Sequence, residues 1–414
     1  MKRVILHCDC NNFFASVESV DHPEYKRVPM AVSGSVEDRH GIILAKNELA
    51  KKYGVVTAET VNSAKRKCPG LLLVPPHHDK YVEYSRRVND IYARYTDMIE
   101  PFGIDESWLD VTASGRLFGD GETIANRIRE DVKRELGITV SVGVSFNKVY
   151  AKLGSDYKKP DAVTVISEEN YRDIVFPLPV GDLLFVGKRT RDELMRMGIS
   201  TIGSLANVSE SVLTMRFGKS GSMMHKYAAG LDDSPVAKQG EHDDPKSIGS
   251  GMTFRHNLTR RDEWIIGLDH LSEDVAGRLR AKSQKCATVQ VTVKDEFLSV
   301  VQRQRPIRPE SDIAREISAV ALTILDDEWS PLRPIRALTV TAVNLVRSEH
   351  VADQIDMFNP DENIERDKSR KREQTVDAIR RRFGSAAITR GSVISSDLGI
   401  GSPKDDGKSK IKDK

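Results

Sequence analysis

Short apolar runs and helix-spaced apolar residues alternate along the first 166 positions. The runs at residues 3–10 and 138–146 are typical of buried strands, and residues 99–112 predict two strands around a turn. Apolar residues at helical spacing predict helices at 13–20, 47–53, 60–68, 79–98, 122–136 and 147–155. The order strand–helix–strand–strand–helix–strand predicts a split βαβ sheet that carries its helices on one face.

The pattern changes near residue 165. Residues 168–230 predict short helices separated by glycines, and the polar stretch 230–250 has the composition of a linker. From 251 to 346, strand-like runs alternate with helical segments at 263–282 and 311–328, which indicates a small α+β domain. A helix at 373–383 precedes a Gly-, Ser- and Lys-rich end that we expect to be disordered.

Composition narrows the class of protein. Of 414 residues, 39% are hydrophobic and 30% are charged, which predicts a soluble protein of several domains. No apolar run reaches the roughly 20 residues of a membrane span, and Asp9 interrupts an apolar start too short for a signal peptide. The four cysteines lack zinc-ligand spacing. We therefore expect a cytoplasmic protein with reduced thiols and no membrane partner.

Three carboxylates occur where a charge needs compensation. Asp9 ends the apolar N-terminal run, and Asp105 and Glu106 lie at the turn between two predicted strands. A charge at the end of a buried strand is costly unless a partner offsets it, and magnesium prefers carboxylate and phosphate oxygens. These residues therefore predict a magnesium site. The alternative is a turn residue at Asp9 and a solvated hairpin tip at Asp105 and Glu106.

The residues around these carboxylates resemble a known family. Residues 7–18 (HCDCNNFFASVE), 103–110 (GIDESWLD) and 140–160 (VSVGVSFNKVYAKLGSDYKKP) are similar, in order and spacing, to three signatures of the Y-family DNA polymerases. The resemblance covers residues 1–345 and implies an α+β multidomain right-hand polymerase with a ferredoxin-like palm, small fingers, a helical thumb and an α+β little finger. The domains predicted from it are a palm at 1–10 and 75–166, fingers at 11–74, a thumb at 167–232, a linker at 233–247, a little finger at 248–346 and a tail at 347–414.

The resemblance also assigns roles in catalysis. It implies that Asp9, Asp105 and Glu106 bind two Mg2+ ions together with the Cys10 carbonyl, and that Glu106 is the catalytic carboxylate beside the primer terminus. A palm-fold nucleotidyl cyclase would carry similar carboxylates. The hairpin, little finger and clamp peptide described below argue against that alternative.

Nucleotide binding is assigned in the same way. Phe14 would be the steric gate, a ring that leaves no room for a 2′-hydroxyl, and the alternative is a place in the core. The neighbouring Phe13 is a candidate nucleotide contact with the same alternative. Lys159 would contact the triphosphate and offset charge that moves toward pyrophosphate, and its alternative is a solvated basic face.

The predicted fingers depart from the family pattern. Ala45, Glu48 and Lys51 occupy the positions where the family commonly has a hydroxyl residue, a tyrosine and an arginine. Lysine keeps the charge of arginine but not its two-pronged geometry, so we predict that Lys51 binds the triphosphate. A glutamate aimed at a triphosphate would repel it, and we therefore expect Glu48 to turn away or to pair with Lys46 or Lys52.

DNA contacts are predicted in the second half of the chain. Residues 183–204 resemble a helix-hairpin-helix in which only Gly187 of the usual glycines remains, because Phe185 replaces the first. Basic residues of the predicted linker and little finger suit phosphate backbones, and their alternative is a solvated mixed surface. The candidate phosphate contacts there are Lys246, Arg255, Arg303, Arg305 and Arg336.

A short peptide follows the predicted little finger. Gln354, Met357 and Phe358 lie in the sequence QIDMF, which resembles the peptide that docks bacterial polymerases on the sliding clamp. The alternative is a strand extension that packs Met357 and Phe358 on the little finger.

The sequence as a whole predicts a monomeric DNA-directed DNA polymerase. It would use primer–template DNA and deoxynucleoside triphosphates for error-prone translesion synthesis, without proofreading, and it would be recruited by the sliding clamp. The alternative from another class is a clamp-tethered DNA-binding protein whose polymerase activity is weak or lost.

Overall fold

The computed structural model describes residues 2–37, 39, 41–241, 244–350, 360–384, 387–394 and 396–400. They form two compact units, one drawn from residues 1–33 and 42–242 and the other from residues 34–41 and 243–414. Within the described part of the chain, no helix is long and apolar enough to cross a membrane.

The first unit contains two sheets and their helices. Its strands are β1 (Ile5–Cys10), β2 (Met30–Ser33), β3 (Ile43–Lys46), β4 (Leu72–Val74), β5 (Ile99–Pro101), β6 (Glu106–Asp110), β7 (Val140–Ser145) and β8 (Val163–Ile166). Its helices are α1 (Phe13–Asp21), α2 (Glu48–Lys52), α3 (Val61–Lys67), α4 (His78–Tyr92), α5 (Gly115–Phe118), α6 (Gly121–Leu136), α7 (Lys148–Tyr157), α8 (Tyr171–Val175), α9 (Lys188–Arg196), α10 (Ile202–Ala206), α11 (Glu210–Phe217) and α12 (Lys219–Ala228).

The larger sheet has the strand order β5-β6-β1-β7-β8. Strand β1 runs antiparallel to both β6 and β7, and its alternation places Leu6 and Cys8 on one face and Ile5, His7 and Asp9 on the other. Helices α4 and α6 cover the first face with an apolar core, as the sequence predicts. Helix α7 packs on the opposite face, so the expectation that all helices share one face is wrong.

Two local features bring α7 against the sheet. The Asn147 side chain caps the helix by accepting a hydrogen bond from the Tyr150 amide at 2.7 Å. Gly143 of β7 lets the helix approach, because a Cβ there would lie 1.9 Å from the carbonyl oxygen of Ala151. Gly143 is the register partner of His7, so α7 lies directly over the His7 face of β1.

Helix α4 ends earlier than the predicted residue 98. It stops at Tyr92, and Thr96 then donates a hydrogen bond from its hydroxyl to the Asp110 carbonyl at 2.7 Å. The same hydroxyl accepts from the Met98 amide at 3.1 Å. These side-chain bonds turn the chain into β5, and apolar spacing does not reveal them.

Two further apolar cores of the first unit lie away from the larger sheet's main core. The sheet β3-β2-β4 packs against α2 and α3 around residues that include Ala31, Ile43 and Val61. The helices α8 to α12 enclose a separate core that includes Leu194 and Leu213.

The second unit is a four-stranded sheet with helices. Its strands are β9 (Ser247–Leu258), β10 (Gln284–Asp295), β11 (Val300–Ser311) and β12 (Ile335–Arg347), in the order β11-β10-β12-β9. Its helices are α13 (Arg261–Ala281), α14 (Ala314–Glu328), α15 (Pro360–Phe383) and α16 (Gly391–Ile394). Helices α13 and α14 share one apolar core with the sheet, as predicted for this segment.

The described residues beyond β12 are more ordered than expected. Helix α15 begins at Pro360 rather than at residue 373, and Arg280 of α13 pairs with its Glu373 at 2.5 Å and its Asp377 at 2.6 Å. Leu398 is buried in the core of the unit. The expected disordered end is therefore wrong for the described residues 387–394 and 396–400, whereas residues 354–358 and 401–414 lie outside the described residues.

Candidate active site

The three predicted carboxylates meet at the end of the two central strands. Asp9 of β1 is the register partner of Glu106 of β6, so their side chains lie on the same face of the sheet. The Cys10 amide donates a hydrogen bond to the Asp105 carbonyl at 2.9 Å, which holds Asp105 beside β1. Residues far apart in the sequence are thus brought together by strand pairing.

Two of these carboxylates repel each other in a partly buried environment. Burial and the nearby charges of Asp9 and Glu106 raise the pKa of Asp105 to about 6. Burial also raises the pKa of Asp9, although Lys159 opposes the shift. Lys159 therefore offsets the negative charge of this pair only in part, and a cation would stabilise the pair further.

Glu106 is in a different electrostatic position. Burial alone would raise its pKa, but contacts with His7 and Lys152 outweigh burial and hold the pKa at about 2. Lys152 donates a hydrogen bond to Glu106, and His7 Nε2 lies 3.2 Å from the same carboxylate oxygen in a poorly aligned contact. Glu106 consequently remains ionised at neutral pH.

His7 links Glu106 to α7. The ring is completely buried, and its Nδ1 lies 2.8 Å from the hydroxyl oxygen of Ser155. His7 is not among the site residues predicted from the sequence. Two-residue periodicity could have found it, because a residue two positions before Asp9 on a strand faces the same side.

Lys159 lies at the predicted site. Its Nζ is 2.8 Å from a carboxylate oxygen of Asp9 and 2.8 Å from one of Asp156. It is therefore an ammonium group placed directly beside the carboxylates. Its contact with a triphosphate stays a prediction.

Glu48 of the predicted fingers has different partners from those expected. It accepts a hydrogen bond from the Asn12 side chain at 2.9 Å, and Lys51 Nζ lies 3.9 Å away. The described contacts show no pairing with Lys46 or Lys52, and that Glu48 turns away from the triphosphate stays a prediction. Lys51 is half-exposed and lies near a negative charge that a bound triphosphate would compete with.

The two adjacent phenylalanines have different surroundings. Phe13 is only 3% exposed and packs in the core between the sheet and α4. Phe14 is half-buried, and its ring stacks on that of Tyr81 with a centroid distance of 4.0 Å and an interplanar angle of 11°. The stacking fixes one face of the Phe14 ring.

The residues present fit magnesium by their chemistry. Asp9, Asp105 and the Cys10 carbonyl offer oxygen ligands, and the raised pKa of Asp105 shows that the site favours added positive charge. Among the described residues, no three His, Cys, Asp or Glu side chains already form a metal cage. This is compatible with magnesium, which uses one or two carboxylates and completes its shell with water and substrate phosphates.

The predicted DNA contacts lie in both units. Gly187 caps α9, and Phe185 just before it has φ 66°, the left-handed conformation that the replaced glycine would adopt freely. In the second unit, Arg303 pairs with Glu328 at 3.0 Å and Arg305 with Asp327 at 2.7 Å.

The remaining predicted DNA contacts all belong to the second unit. Arg255 pairs with Asp397 at 3.0 Å, Arg336 lies half-buried on β12, and Lys246 is exposed just before β9. Their contacts with phosphates stay predictions.

Comparisons with known proteins agree with this architecture. The model of the impB/mucB/samB family matches residues 8–156, and the model of that family's C-terminal domain matches residues 245–357. A DNA polymerase IV of Acetivibrio thermocellus is 48% identical over 97% of this chain and 99% of its own length. A DNA polymerase IV of Clostridium kluyveri is 36% identical over 95% of this chain and 99% of its own length.

A solved structure shows the same fold. A Y-family DNA polymerase chimera of Dbh and Dpo4 superimposes with a TM-score of 0.73, at 24% sequence identity, over 83% of this chain and 99% of the chimera.

Proposed function

Because this chain belongs to the impB/mucB/samB family of Y-family DNA polymerases and is a DNA-directed DNA polymerase, we propose that it performs error-prone translesion synthesis. Nucleotidyl transfer would take place at Asp9, Asp105 and Glu106. The observation that carries the proposal is the register pairing of Asp9 with Glu106, which gathers the three carboxylates at one end of β1.

The three carboxylates would have different roles, two in metal binding and one in catalysis. Asp9 and Asp105 would hold two Mg2+ ions together with the Cys10 carbonyl, and bound magnesium would supply positive charge beside the primer hydroxyl and the phosphates. Glu106, kept ionised by His7 and Lys152, would lie at the primer terminus as the catalytic carboxylate. Its low pKa supports a role that requires the charged form throughout the physiological range.

Lys159 would exchange partners when a nucleotide binds. In this structure its ammonium group contacts Asp9. A triphosphate offers more negative charge than one carboxylate, so Lys159 would move to it and leave Asp9 available to a cation. Lys51 would likewise leave Glu48 for the triphosphate, and Phe13 would support the nucleotide site from the core.

Phe14 would select the sugar. Its ring cannot withdraw toward Tyr81, since the two rings are already in stacking contact. A 2′-hydroxyl placed against the other face would meet a ring that offers neither space nor a hydrogen bond.

The second unit would hold the duplex through phosphate contacts. Arg303 and Arg305 would exchange their carboxylate partners for DNA phosphates, in a grip that weakens with salt. The peptide at 354–358, outside the described residues, would dock on the sliding clamp and raise the local concentration of the polymerase at the primer end.

Primer extension on undamaged and lesion-bearing templates tests the proposal. We expect Mg2+-dependent, template-directed addition on both, without excision of mismatched primer ends, and stimulation by the sliding clamp. DNA binding and clamp binding without any nucleotide addition would instead support a clamp-tethered DNA-binding protein.

A further inference from the structure

A buried glutamate lies one helical turn beyond Phe14. Glu18 belongs to the same helix, α1, and its position four residues later places it on the same face as Phe14. The side chain is only 2% exposed. A carboxylate at such a position is costly unless several groups satisfy it, so its partners indicate what it holds in place.

All of the observed partners come from the beginning of α4. The Tyr81 hydroxyl donates a hydrogen bond to Glu18 Oε1 at 2.5 Å, and His77 Nδ1 lies 2.9 Å from the same oxygen. Lys80 Nζ is 3.7 Å from Oε2. Glu18 therefore ties the first turn of α4 to α1.

Tyr81 is held at both ends. Its hydroxyl is bound to Glu18, its ring is fully buried, and one ring face stacks on Phe14. The His78 ring meets both Phe14 and Tyr81 edge-on, at centroid distances of 5.9 and 5.8 Å. Phe14 thus rests on a ring that cannot be displaced sideways without stretching a buried hydrogen bond at its hydroxyl end.

We infer that Glu18 is a positioning residue for sugar selection, which acts by anchoring Tyr81 as the rigid support behind Phe14. The inference rests on the proposed function, in which Phe14 excludes the 2′-hydroxyl. A steric barrier is only as high as the free energy needed to displace the blocking group. Freeing Tyr81 lets Phe14 yield to a ribose, whereas a deoxyribose never presses on it.

Tyr81→Phe tests this directly, because it removes the hydroxyl and keeps the ring. Single-turnover insertion of matched ribo- and deoxynucleotides would be measured in both purified proteins. We expect ribonucleotide insertion to rise by about threefold or more, as loss of one buried hydrogen bond allows, with deoxynucleotide rate and affinity unchanged. Glu18→Gln, a weaker acceptor of the same shape, should act in the same direction.

Two further variants distinguish a specific effect on the position of Phe14 from a general loss of rigidity in the protein. Tyr84→Phe, at a tyrosine buried on the same helix, should leave the ribose-to-deoxyribose ratio unchanged. In the Phe14→Ala background, Tyr81→Phe should add nothing, since the group that it supports is gone. Thermal unfolding of each variant checks that the fold is intact.

The outcomes distinguish the inference from the proposed function. The role of Glu18 is overturned if Tyr81→Phe leaves the ribose-to-deoxyribose insertion ratio unchanged, or if it raises that ratio equally with and without Phe14. If Phe14→Ala still changes the ratio, Phe14 remains the gate. An unchanged ratio in Phe14→Ala overturns the gate itself and the inference with it.

Discussion

His7 and Glu106 face each other across the central strands, with His7 Nε2 3.2 Å from a carboxylate oxygen of Glu106. Their strands β1 and β6 are paired, and Lys152 of α7 approaches the same carboxylate from above the sheet. The surroundings of two neighbouring carboxylates therefore shift their pKa values in opposite directions. Asp105 is made harder to ionise, and Glu106 is made easier to ionise.

Loss of Lys152 should shift the pH dependence of catalysis. Lys152 and His7 both lower the pKa of Glu106, so in Lys152→Ala only His7 opposes burial and the pKa rises. Protonation of Glu106 would then begin at a higher pH. In single-turnover extension between pH 5 and 8, the rate of the variant should begin to fall at a higher pH than that of the wild-type protein. Lys158→Ala, an exposed residue at the end of the same helix, is the control. An unchanged acid limb would contradict the role of Glu106.

Removing the charge of Asp105 should stabilise the metal-free protein at neutral pH. Its pKa is about 6 in the folded protein against an ordinary value of 3.8, so the folded state binds this proton more tightly. That contribution is complete below pH 3.8 and is lost as the pH rises through about 6. Asp105→Asn should therefore raise the unfolding midpoint by about 2 °C or more at pH 7.5 in EDTA, with little gain at pH 4.

Added magnesium should reduce or reverse the difference in unfolding midpoint between Asp105→Asn and the wild-type protein. It should raise the unfolding midpoint of the wild-type protein and leave that of Asp105→Asn nearly unchanged, since a ligand stabilises only the state that binds it. A lower midpoint for the variant in EDTA at pH 7.5 would show that Asp105 is not a strained carboxylate.

Several strands and helices were predictable because each has a local apolar pattern, among them β1, β7, α4 and α6. The first half of helix α15 was not, since nine of the thirteen residues 360–372 are charged and their order depends on distant ion pairs. Arg366 pairs with Glu316 at 2.6 Å, and Arg370 pairs with Asp312 at 2.9 Å. No window of neighbouring residues contains that information.

Some residues of the site were predictable from the sequence, and others were not. Asp9, Asp105 and Glu106 were found because they interrupt or border apolar strands within recognisable motifs. Glu18 and Tyr81 were missed, because nothing in either segment shows that two helices bring a glutamate and a tyrosine hydroxyl 2.5 Å apart. The hydrogen bond from Asn12 to Glu48 was missed for a related reason, because Asn12 belongs to a different element.

Loss of Lys159 should weaken nucleotide capture more than DNA binding. The ammonium group is already at the carboxylates, and a lost charged contact with a triphosphate is expected to reduce nucleotide affinity by roughly tenfold. Lys159→Ala and Lys51→Ala would be compared with Lys158→Ala by nucleotide titration and by fluorescence anisotropy of primer–template DNA.

Lys51→Arg should tighten nucleotide binding, because guanidinium can contact two phosphate oxygens. Equal affinity in Lys51→Ala and wild type would place phosphate binding elsewhere.

Replacement of Met357 and Phe358 by alanine should abolish stimulation by the sliding clamp and preserve basal extension. The reason is that tethering changes the time spent at the primer end and leaves the active site unaltered. The melting midpoint distinguishes the alternative of packing on the little finger, since two buried side chains would contribute roughly 1.5–3 kcal/mol each. Stimulation that survives the double substitution would place the docking peptide elsewhere.

The most direct test is primer extension by Asp105→Ala beside the wild-type protein, with binding of the same primer–template measured by anisotropy. The wild-type protein should add the templated deoxynucleotide only with Mg2+. The variant should bind DNA with similar affinity and add no nucleotide, because a ligand of the reacting centre is missing while the DNA-binding surfaces are intact. Extension by the variant at the wild-type rate would contradict the assignment of the active site.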